Sequence, residues 1–246
     1  MKLSFIIIEY HSLLEIRTSC ASIRDFMSSE LDYEIIISSN STYSKGEQGK
    51  ILAENQEGKW VFNARNRGFA YAMNEGLKVA TGDVLIAMNP DVKIKAGLSE
   101  MINYLMSDSS IGLIAPRIVS RKGVVQDSYR DFITPIRFIK RHCIRLLHGE
   151  EKFDTNRILQ VDWVIGAFMM MTRKSYEAVD GFDDGYFLYC EDMDLCKRMH
   201  LCGYSVVYYP DATIEYEGTR SARHSWKYAR IFMKSLFRYW KKFGIK

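Results

Sequence analysis

The chain has 246 residues, of which 47% are hydrophobic and 13% aromatic, and its formal net charge is +4 at pH 7. This composition supports a hydrophobic core and excludes a disordered chain, because disordered segments are poor in large apolar side chains. The charge is too small to indicate nucleic-acid binding by itself, and the longest apolar run, residues 164–171, is far shorter than the roughly 20 residues that span a bilayer.

The first half of the chain predicts an α/β sheet. Unbroken runs of β-branched residues are typical of strands that are buried on both faces, and amphipathic segments lie between them. Such alternation favours parallel strands joined by right-handed crossovers. The segments are strands at 3–8, 33–39, 59–64 and 83–92 and helices at 13–28 and 66–82, the second of which is expected to end at Gly82.

The second half is less regular. Strands are predicted at 112–119 and 204–210, and residues 161–173 predict a strand, a glycine and then a strand or helix. Residues 130–160 are basic and irregular, with helical spacing at 136–147. The four prolines of the chain leave no evident linker, so we predict one domain, residues 1–222, followed by a basic amphipathic C-terminal tail, residues 223–246.

Three polar clusters follow predicted strands, namely residues 9–11, residues 38–41 and the sequence Asn89-Pro90-Asp91. Ligands of open α/β sheets bind at the carboxyl ends of the strands. An acid in that place, such as Asp91, can hold a divalent cation whose other ligands are phosphate oxygens. Taken alone, the Asn-Pro-Asp sequence also predicts a type I turn.

Residues 181–204 place several carboxylates among aromatic residues. On a helix that begins near Glu191, Asp192 shares one face with Leu195 and Met199, so its carboxylate is expected to point inward. The helix N-terminus stabilises the charged form, whereas apolar neighbours raise the pKa of Asp192. This combination suits a general base, which must be ionised and still basic.

The other acids of this segment have simpler interpretations. Asp194 and Arg198, spaced i, i+4, predict a solvated pair. Glu191 either supports the site or complements the helix dipole. Asp183 and Asp184 follow a glycine and predict a turn.

Several motifs, taken in order, resemble family 2 glycosyltransferases. They are NRGFAYAMNEG at 66–76, ATGDVLIAMNPDV at 80–92 and the long run from VDWVIGAF to YYPDATI at 161–214. The Asn-Pro-Asp form is usual in the rhamnosyltransferase-like branch of that family, and the resemblance covers about residues 3–221. It implies the GT-A (nucleotide-diphospho-sugar transferase) fold, an α/β fold with a central, mostly parallel sheet flanked by helices.

The resemblance also implies an activity. An inverting enzyme of this kind would move a sugar, rhamnose or a related hexose, from a UDP-, dTDP- or GDP-linked donor to a hydroxyl of a saccharide or lipid-linked acceptor, in cell-surface polysaccharide synthesis. Asp91 would bind Mg²⁺ or Mn²⁺, and Asp192, with Glu191 beside it, would be the catalytic base. The implied donor-binding residues are Tyr10, Ser39, Asn66, Gly68, Asn89 and Asp91, and the implied acceptor and sugar pocket contains Trp163, Gly166, Ala167 and Asp183.

Two positions depart from the family pattern. Ser39 stands where the family has an aspartate that contacts the nucleobase, and Tyr216 stands where a histidine often helps to hold the metal. Glu215 or Glu217 could replace that ligand, or the ligand is missing, which leaves a catalytically weakened transferase-like protein as an alternative. A nucleotidyltransferase would need a glycine-rich phosphate loop after the first strand, and the sequence has none there.

The tail, residues 223–246, carries basic and aromatic residues and no acid. A helix of this kind can lie in an anionic membrane surface, or it can dock on the domain with its charges solvated. A basic module that binds membrane or nucleic acid would leave the acidic motifs unexplained, so no nucleic-acid partner is expected. The sequence predicts a cytoplasmic protein, with peripheral contact at the inner face of the membrane left open.

Overall fold

The computed structural model describes residues 1–27, 31–140, 154–218 and 225–244. The strands are β1 Lys2–Glu9, β2 Asp32–Ser39, β3 Lys59–Phe62, β4 Val84–Met88, β5 Lys93–Ala96, β6 Ile111–Val119, β7 Tyr129–Arg130, β8 Leu159–Gln160, β9 Trp163–Val164, β10 Phe168–Thr172 and β11 Ser205–Glu215. Nine of them form one sheet with the order β3-β2-β1-β4-β10-β6-β11-β5, in which β8 also pairs with β11. The other two, β7 and β9, form a separate two-stranded sheet.

Helices cover both faces of the sheet. They are α1 Leu13–Phe26, α2 Lys45–Glu54, α3 Phe69–Lys78, α4 Leu98–Ser107, α5 Arg173–Ala178, α6 Glu191–Leu201 and α7 Trp226–Phe243. Side chains of β1 alternate between the two hydrophobic clusters, because successive strand residues point to opposite faces. Ile6 and Ile8 pack with α3, α6 and α7, whereas Phe5 and Ile7 pack with α1 and α4.

The strand directions bring several strand ends to one edge. β3, β2, β1 and β4 are parallel, and β10 is antiparallel to β4, so the residues before Phe168 lie where β4 ends. β6 and β11 run in the direction of β4. The predicted α/β fold with a helix-flanked sheet is confirmed. The sheet is parallel in its first half and mixed in its second.

The structure also corrects several boundaries. The helix predicted at 66–82 is Phe69–Lys78, and the strand predicted at 83–92 ends at Met88. The spacing of Leu98, Met101, Ile102 and Leu105 is typical of the amphipathic helix α4, which the prediction omitted. Helix α2 was also missed, since it buries only Ile51 and contains two glycines.

The C-terminal helix α7 docks on the domain. Its Leu236 and Tyr239 are buried in the cluster that also contains α3 and α6. The predicted boundary between residues 222 and 223 lies outside the described residues. Within the described ranges, no helix combines the length and apolarity that a bilayer crossing requires.

Candidate active site

The Asn89-Pro90-Asp91 turn continues β4 and is fixed from two sides. The backbone amide of Asn89 donates to Ala167 O at 2.9 Å. The Ser19 hydroxyl of α1 contacts Pro90 O and Val92 O, each at 2.6 Å. The turn predicted from this tripeptide is therefore present. It holds Asp91 at the edge of the sheet where β4 ends.

The Asp91 carboxylate has no partner on another residue of the described chain. Burial raises the pKa of Asp91, and the charge of Glu15 adds to this effect, while the residue's own amide and Arg121 oppose it. Asp91 lines a cavity of about 250 Å³ with Glu15, Lys93 and Arg121. A partly buried carboxylate that lacks a compensating partner favours a nearby cation.

The residues around Asp91 fit a cation that is shared with a phosphate ligand. In the part of the chain that the structure describes, no three His, Cys, Asp or Glu side chains are grouped so as to hold a metal. Mg²⁺ commonly takes only one or two carboxylates and completes its shell with phosphates and water. A single carboxylate beside an open cavity is therefore sufficient.

Asp192 lies at the start of α6 and accepts two backbone hydrogen bonds. Its Oδ2 accepts from the Gly166 amide at 2.9 Å, and its Oδ1 accepts from the Met193 amide at 2.8 Å. Burial raises the pKa of Asp192, and these two amides and the charge of Arg130 oppose the rise. The pKa of Asp192 is thus subject to the two opposing effects that the sequence predicts, a rise from burial and a decrease from groups that stabilise the charged form.

Glu191, the neighbouring acid, is 7% exposed. Burial, followed by the charge of Asp192, raises its pKa to about 8. The two backbone amides that bond to Asp192 favour its ionised form, whereas the negative charge of Asp192 disfavours ionisation of Glu191.

Asp91 and Asp192 are connected through the short turn between β9 and β10. The Asn89 amide bonds to Ala167, and the Gly166 amide bonds to Asp192. A Cβ at position 166 would lie 3.1 Å from Asp192 Cβ and 3.2 Å from Asp192 Oδ2, so the carboxylate rests directly on this glycine. Asp91 and Asp192 therefore lie at the same edge of the sheet.

Tyr216 lies within electrostatic reach of both acids. Asn89 Nδ2 donates to its hydroxyl at 3.1 Å. Burial, together with the charges of Asp91 and Asp192, raises the pKa of Tyr216 to about 12. The residue that replaces the expected histidine is therefore part of this site.

Glu215 and Glu217, the other proposed metal ligands, have different partners. Glu215 pairs with Lys93 at 3.5 Å and Lys95 at 3.1 Å, and Glu217 accepts from the Arg121 amide at 3.1 Å. Of the three candidate ligands, Tyr216 is the one bonded to the Asn-Pro-Asp turn.

A comparison with protein families matches residues 4–179 to the model described as glycosyl transferase family 2. The chain belongs to glycosyltransferase family 2. A second model, the N-terminal domain of galactosyltransferase, matches residues 147–225.

Two curated relatives of this glycosyltransferase are rhamnosyltransferases. Rhamnosyltransferase WbbL of Escherichia coli (strain K12) is 30% identical over 191 residues, which are 74% of this chain and 70% of that protein. N-acetylglucosaminyl-diphospho-decaprenol L-rhamnosyltransferase of Mycobacterium tuberculosis (strain ATCC 25618 / H37Rv) is 28% identical over 142 residues, 54% of this chain and 46% of that protein.

Among solved structures, GalNAc-T7 with UDP, GalNAc and Mn²⁺ matches with a TM-score of 0.66 and 14% identity. The match covers 88% of this chain and 44% of that one. At this identity the likeness shows the fold alone, which is the GT-A fold.

The residues predicted to bind the donor divide into exposed and internal ones. Tyr10 is 52% exposed where β1 ends. Ser39 is fully buried, and its hydroxyl donates to Glu9 Oε2 at 2.5 Å. Asn66 Oδ1 accepts from the Gly68 amide at 2.9 Å. In this arrangement Ser39 and Asn66 bond within the protein.

Gly68 has a specific structural role at the start of α3. Its φ of 104° lies in the left-handed region, which favours glycine. A Cβ there would overlap the backbone of Phe187. The start of α3 and the acid-rich segment are therefore in direct backbone contact.

On the acceptor side, Trp163 is 7% exposed, and its indole nitrogen donates to Asp131 O at 2.9 Å. Arg130 lies over its ring, 6.0 Å from the centroid. Trp163 therefore packs against Arg130, whose charge opposes the rise in the pKa of Asp192.

The prediction of a solvated Asp194–Arg198 pair is wrong. Asp194 is fully buried, and it accepts from Arg198 Nε at 2.6 Å and from Lys242 Nζ at 2.7 Å. Helix α7 covers this side of α6, which the local spacing cannot reveal. Asp183, assigned to the acceptor pocket, also bonds to α7, through Arg238 and Lys242.

Sequence reasoning missed three residues that shape the site. Glu9 is a fully buried carboxylate that accepts from the hydroxyls of Ser39, Ser41 and Tyr43. The sequence feature that could have identified Glu9 is an acid at the end of a buried strand, in a sheet where the next strand ends in a serine-rich cluster. Arg130 stands in none of the motifs quoted above, whereas Asn74 is the second asparagine of the NRGFAYAMNEG segment.

Proposed function

We propose that this protein is an inverting, metal-dependent glycosyltransferase. It would move a sugar, rhamnose or a related hexose, from a UDP-, dTDP- or GDP-linked donor to a hydroxyl of a saccharide or lipid-linked acceptor. One observation carries the proposal, namely that the Asn-Pro-Asp turn and Asp192 both bond to the 166–167 turn at one edge of the sheet, Asn89 to Ala167 and Asp192 to Gly166.

Asp91 would hold Mg²⁺ or Mn²⁺ together with the donor diphosphate. The cation would offset the negative charge that grows on the departing nucleoside diphosphate. Lys93 and Arg121 line the same cavity and add positive charge for phosphate oxygens. Asn89 orients the Tyr216 hydroxyl towards this edge.

Asp192 would act as the general base. Each of its oxygens accepts one backbone hydrogen bond and keeps a second lone pair. It takes the proton of the acceptor hydroxyl while the acceptor oxygen bonds to the anomeric carbon. The bond from that carbon to the diphosphate oxygen breaks on the opposite face, which inverts the configuration.

The nature of the acceptor suggests where the enzyme works. The name of the mycobacterial relative includes a decaprenol-linked saccharide, which supports a lipid-linked acceptor. We extend the proposal to a cytoplasmic enzyme of cell-surface polysaccharide synthesis that contacts the inner face of the membrane through residues 223–246. On α7, Trp226 is 93% exposed and Phe237 is 61% exposed.

A thermal-shift panel of UDP-, dTDP- and GDP-sugars with Mn²⁺ tests the donor site, since a ligand that binds the native state raises its stability. We expect one sugar nucleotide to raise Tm with Mn²⁺ and not with EDTA. Asp91→Ala should lose this metal-dependent shift. Asp192→Asn should keep it and lose transfer by roughly 10²–10⁴-fold, the contribution of a general base.

Other results of the panel would revise the proposal. Wild-type transfer in either variant would remove that residue from the mechanism. Donor binding without turnover in the wild-type protein would favour the weakened transferase, which the internal bonding of Ser39 and the presence of Tyr216 also suggest.

A further inference from the structure

The segment that leads into Asp192 is held between two helices. We call residues 182–190, between α5 and α6, the acid-bearing loop. On one side, Asn74 of α3 bonds to both the amide and the carbonyl of Phe182, at 3.0 and 2.8 Å. The Phe69 amide, also from α3, donates to Phe187 O at 2.8 Å.

Helix α7 contacts the other side of the acid-bearing loop through two cations. Arg238 Nη2 contacts both carboxylate oxygens of Asp183, at 2.8 and 3.1 Å. Lys242 Nζ donates to Asp183 Oδ2 at 2.7 Å and to Asp194 Oδ2 at 2.7 Å. Lys242 therefore joins the start of the loop to the first turn of α6, two residues after Asp192.

The acids of these ion pairs are more enclosed than the cations, and the Arg238 side chain is 46% exposed. The side chains of Asp183, Asp194 and Lys242 are 17%, 0% and 32% exposed. Burial raises the pKa of Asp183, but Lys242, the Gly185 amide and Arg238 outweigh it and lower that pKa to about 2. The Lys242–Asp194 pair is the costly one to break, because the fully buried Asp194 carboxylate then loses one of its two cations.

The loop has a glycine where Arg238 crosses it. A Cβ on Gly185 would overlap the guanidinium of Arg238. Ser235 of α7 adds a bond from its hydroxyl to Leu188 O, at 2.8 Å. The loop and the helix thus fit each other closely along most of the loop.

The end of the loop has an unfavourable backbone. Tyr189 and Cys190 have φ angles of 70° and 66°, and residues other than glycine keep this conformation only when their surroundings enforce it. Cys190 is the residue immediately before α6. External contacts are therefore needed to fix the direction in which α6, and with it Asp192, begins.

We propose that Lys242 and Arg238 are positioning residues of the transferase. By holding Asp183 and Asp194 they fix the acid-bearing loop, so that Asp192 stays against the Gly166 amide. The inference rests on the proposed function only in its second part, the role of Asp192 in transfer. Asp194 also accepts a hydrogen bond from Arg198 at 2.6 Å. This buried pair remains available when Lys242 is replaced, so we expect the fold to survive.

Hydrogen exchange of the full chain tests the positioning without any substrate. In Lys242→Met, we expect amide exchange in residues 183–194 to accelerate roughly tenfold, as local opening becomes easier. The matched control is Lys241→Met, because Lys241 is exposed and pairs with no carboxylate of the described chain. Lys242→Arg should restore slow exchange.

Gly185→Ala provides a second, independent route, since it displaces Arg238 and leaves every charge in place. It should accelerate exchange in the same residues, with Tm close to that of the wild-type protein. Unchanged exchange in both Lys242→Met and Gly185→Ala would overturn the inference. Acceleration spread over the whole chain in both variants would also overturn it, because it would indicate a purely structural role.

Transfer kinetics test the second part, with the sugar nucleotide that passes the thermal-shift panel. Lys242→Met should lower kcat about tenfold or more, while the donor KM and the Mn²⁺-dependent Tm shift stay within twofold. Faster exchange with an unchanged kcat would show that the loop is held but that Asp192 does not depend on it. If no donor is turned over by the wild-type protein, the proposed function fails and the exchange result still decides the first part.

Discussion

At the scale of single residues, Glu191 and Asp192 show how neighbouring acids acquire different hydrogen-bond environments. Both lie at the N-terminus of α6, where the helix dipole favours negative charge. Asp192 accepts two amides, whereas Glu191 Oε2 is buried without a hydrogen-bond partner. The hydrogen bonds therefore favour the ionised form of Asp192 over that of Glu191.

This difference has a consequence for stability. The pKa of Glu191 rises from 4.5 to about 8 on folding, so between these values the folded protein holds a proton that the unfolded chain has lost. The stability that comes from this proton is present below pH 4.5 and is lost as the pH rises through 8, because the unfolded state binds fewer protons. Glu191→Gln removes the titration.

We therefore expect the Tm of the wild-type protein to fall relative to that of Glu191→Gln as the pH is raised from 5 to 8. Calorimetry of the two proteins in matched buffers measures the difference. A constant difference in Tm across this range would mean that Glu191 is already ionised in the folded protein.

At the scale of elements, the site is organised by strand ends and the turns that follow them. The turn that follows β4 and the inward face of α6 were predictable, since the sequence Asn-Pro-Asp and a helix with a regular apolar stripe are both local patterns. The bonds of Lys242 to Asp194 and of Arg238 to Asp183 were not, because the partners are 48 and 55 positions apart.

Ser39 illustrates a different limit of sequence reasoning. Its position at the end of β2 was predicted correctly, and β1 pairs it with Glu9. The direction of its hydroxyl depends on that partner across the sheet, which a motif comparison of one strand does not include. Buried polar side chains are bonded to whichever neighbour the fold supplies.

The turn between β9 and β10 gives a prediction at this scale. In Gly166→Ala, the new methyl group would meet Asp192 at 3.1–3.2 Å, which is closer than ordinary contact, so the carboxylate must move away from the 166 amide. We expect transfer to fall at least tenfold, with donor binding retained. Ala167, the next residue, is also buried. Ala167→Gly changes the same turn without adding an atom, so it is the matched control. Equal losses of transfer in both variants would contradict the argument.

At the scale of the whole molecule, α7 has two different faces. One face carries Leu236 and Tyr239 and docks on the domain. The opposite face exposes Trp226 and Phe237, and beside them lie four lysines and arginines that form no ion pair with the described residues, Lys227, Arg230, Lys234 and Lys241. Docking and membrane contact, which were alternatives in the sequence, are therefore compatible.

This arrangement predicts binding to anionic vesicles. Exposed aromatic residues enter the interface between membrane and water, and each cation near an anionic surface contributes about 1 kcal/mol to the free energy of binding. We expect the full chain to float with vesicles that contain phosphatidylserine at 0.1 M salt, and to remain in solution with neutral vesicles or at 1 M salt, where the Debye length is about 3 Å. Deleting the tail is a poor test, because it also removes the buried Leu236.

Point substitutions on the exposed face separate the two roles of α7. The double variant Trp226→Ser, Phe237→Ser should lose most of the flotation and keep its Tm, since both side chains are exposed. Leu201→Ser is the matched control, because Leu201 is 67% exposed at the end of α6 and lies on a different helix. If the double variant floats as well as the control, the aromatic residues of α7 do not enter the membrane, and another surface must bind the lipid.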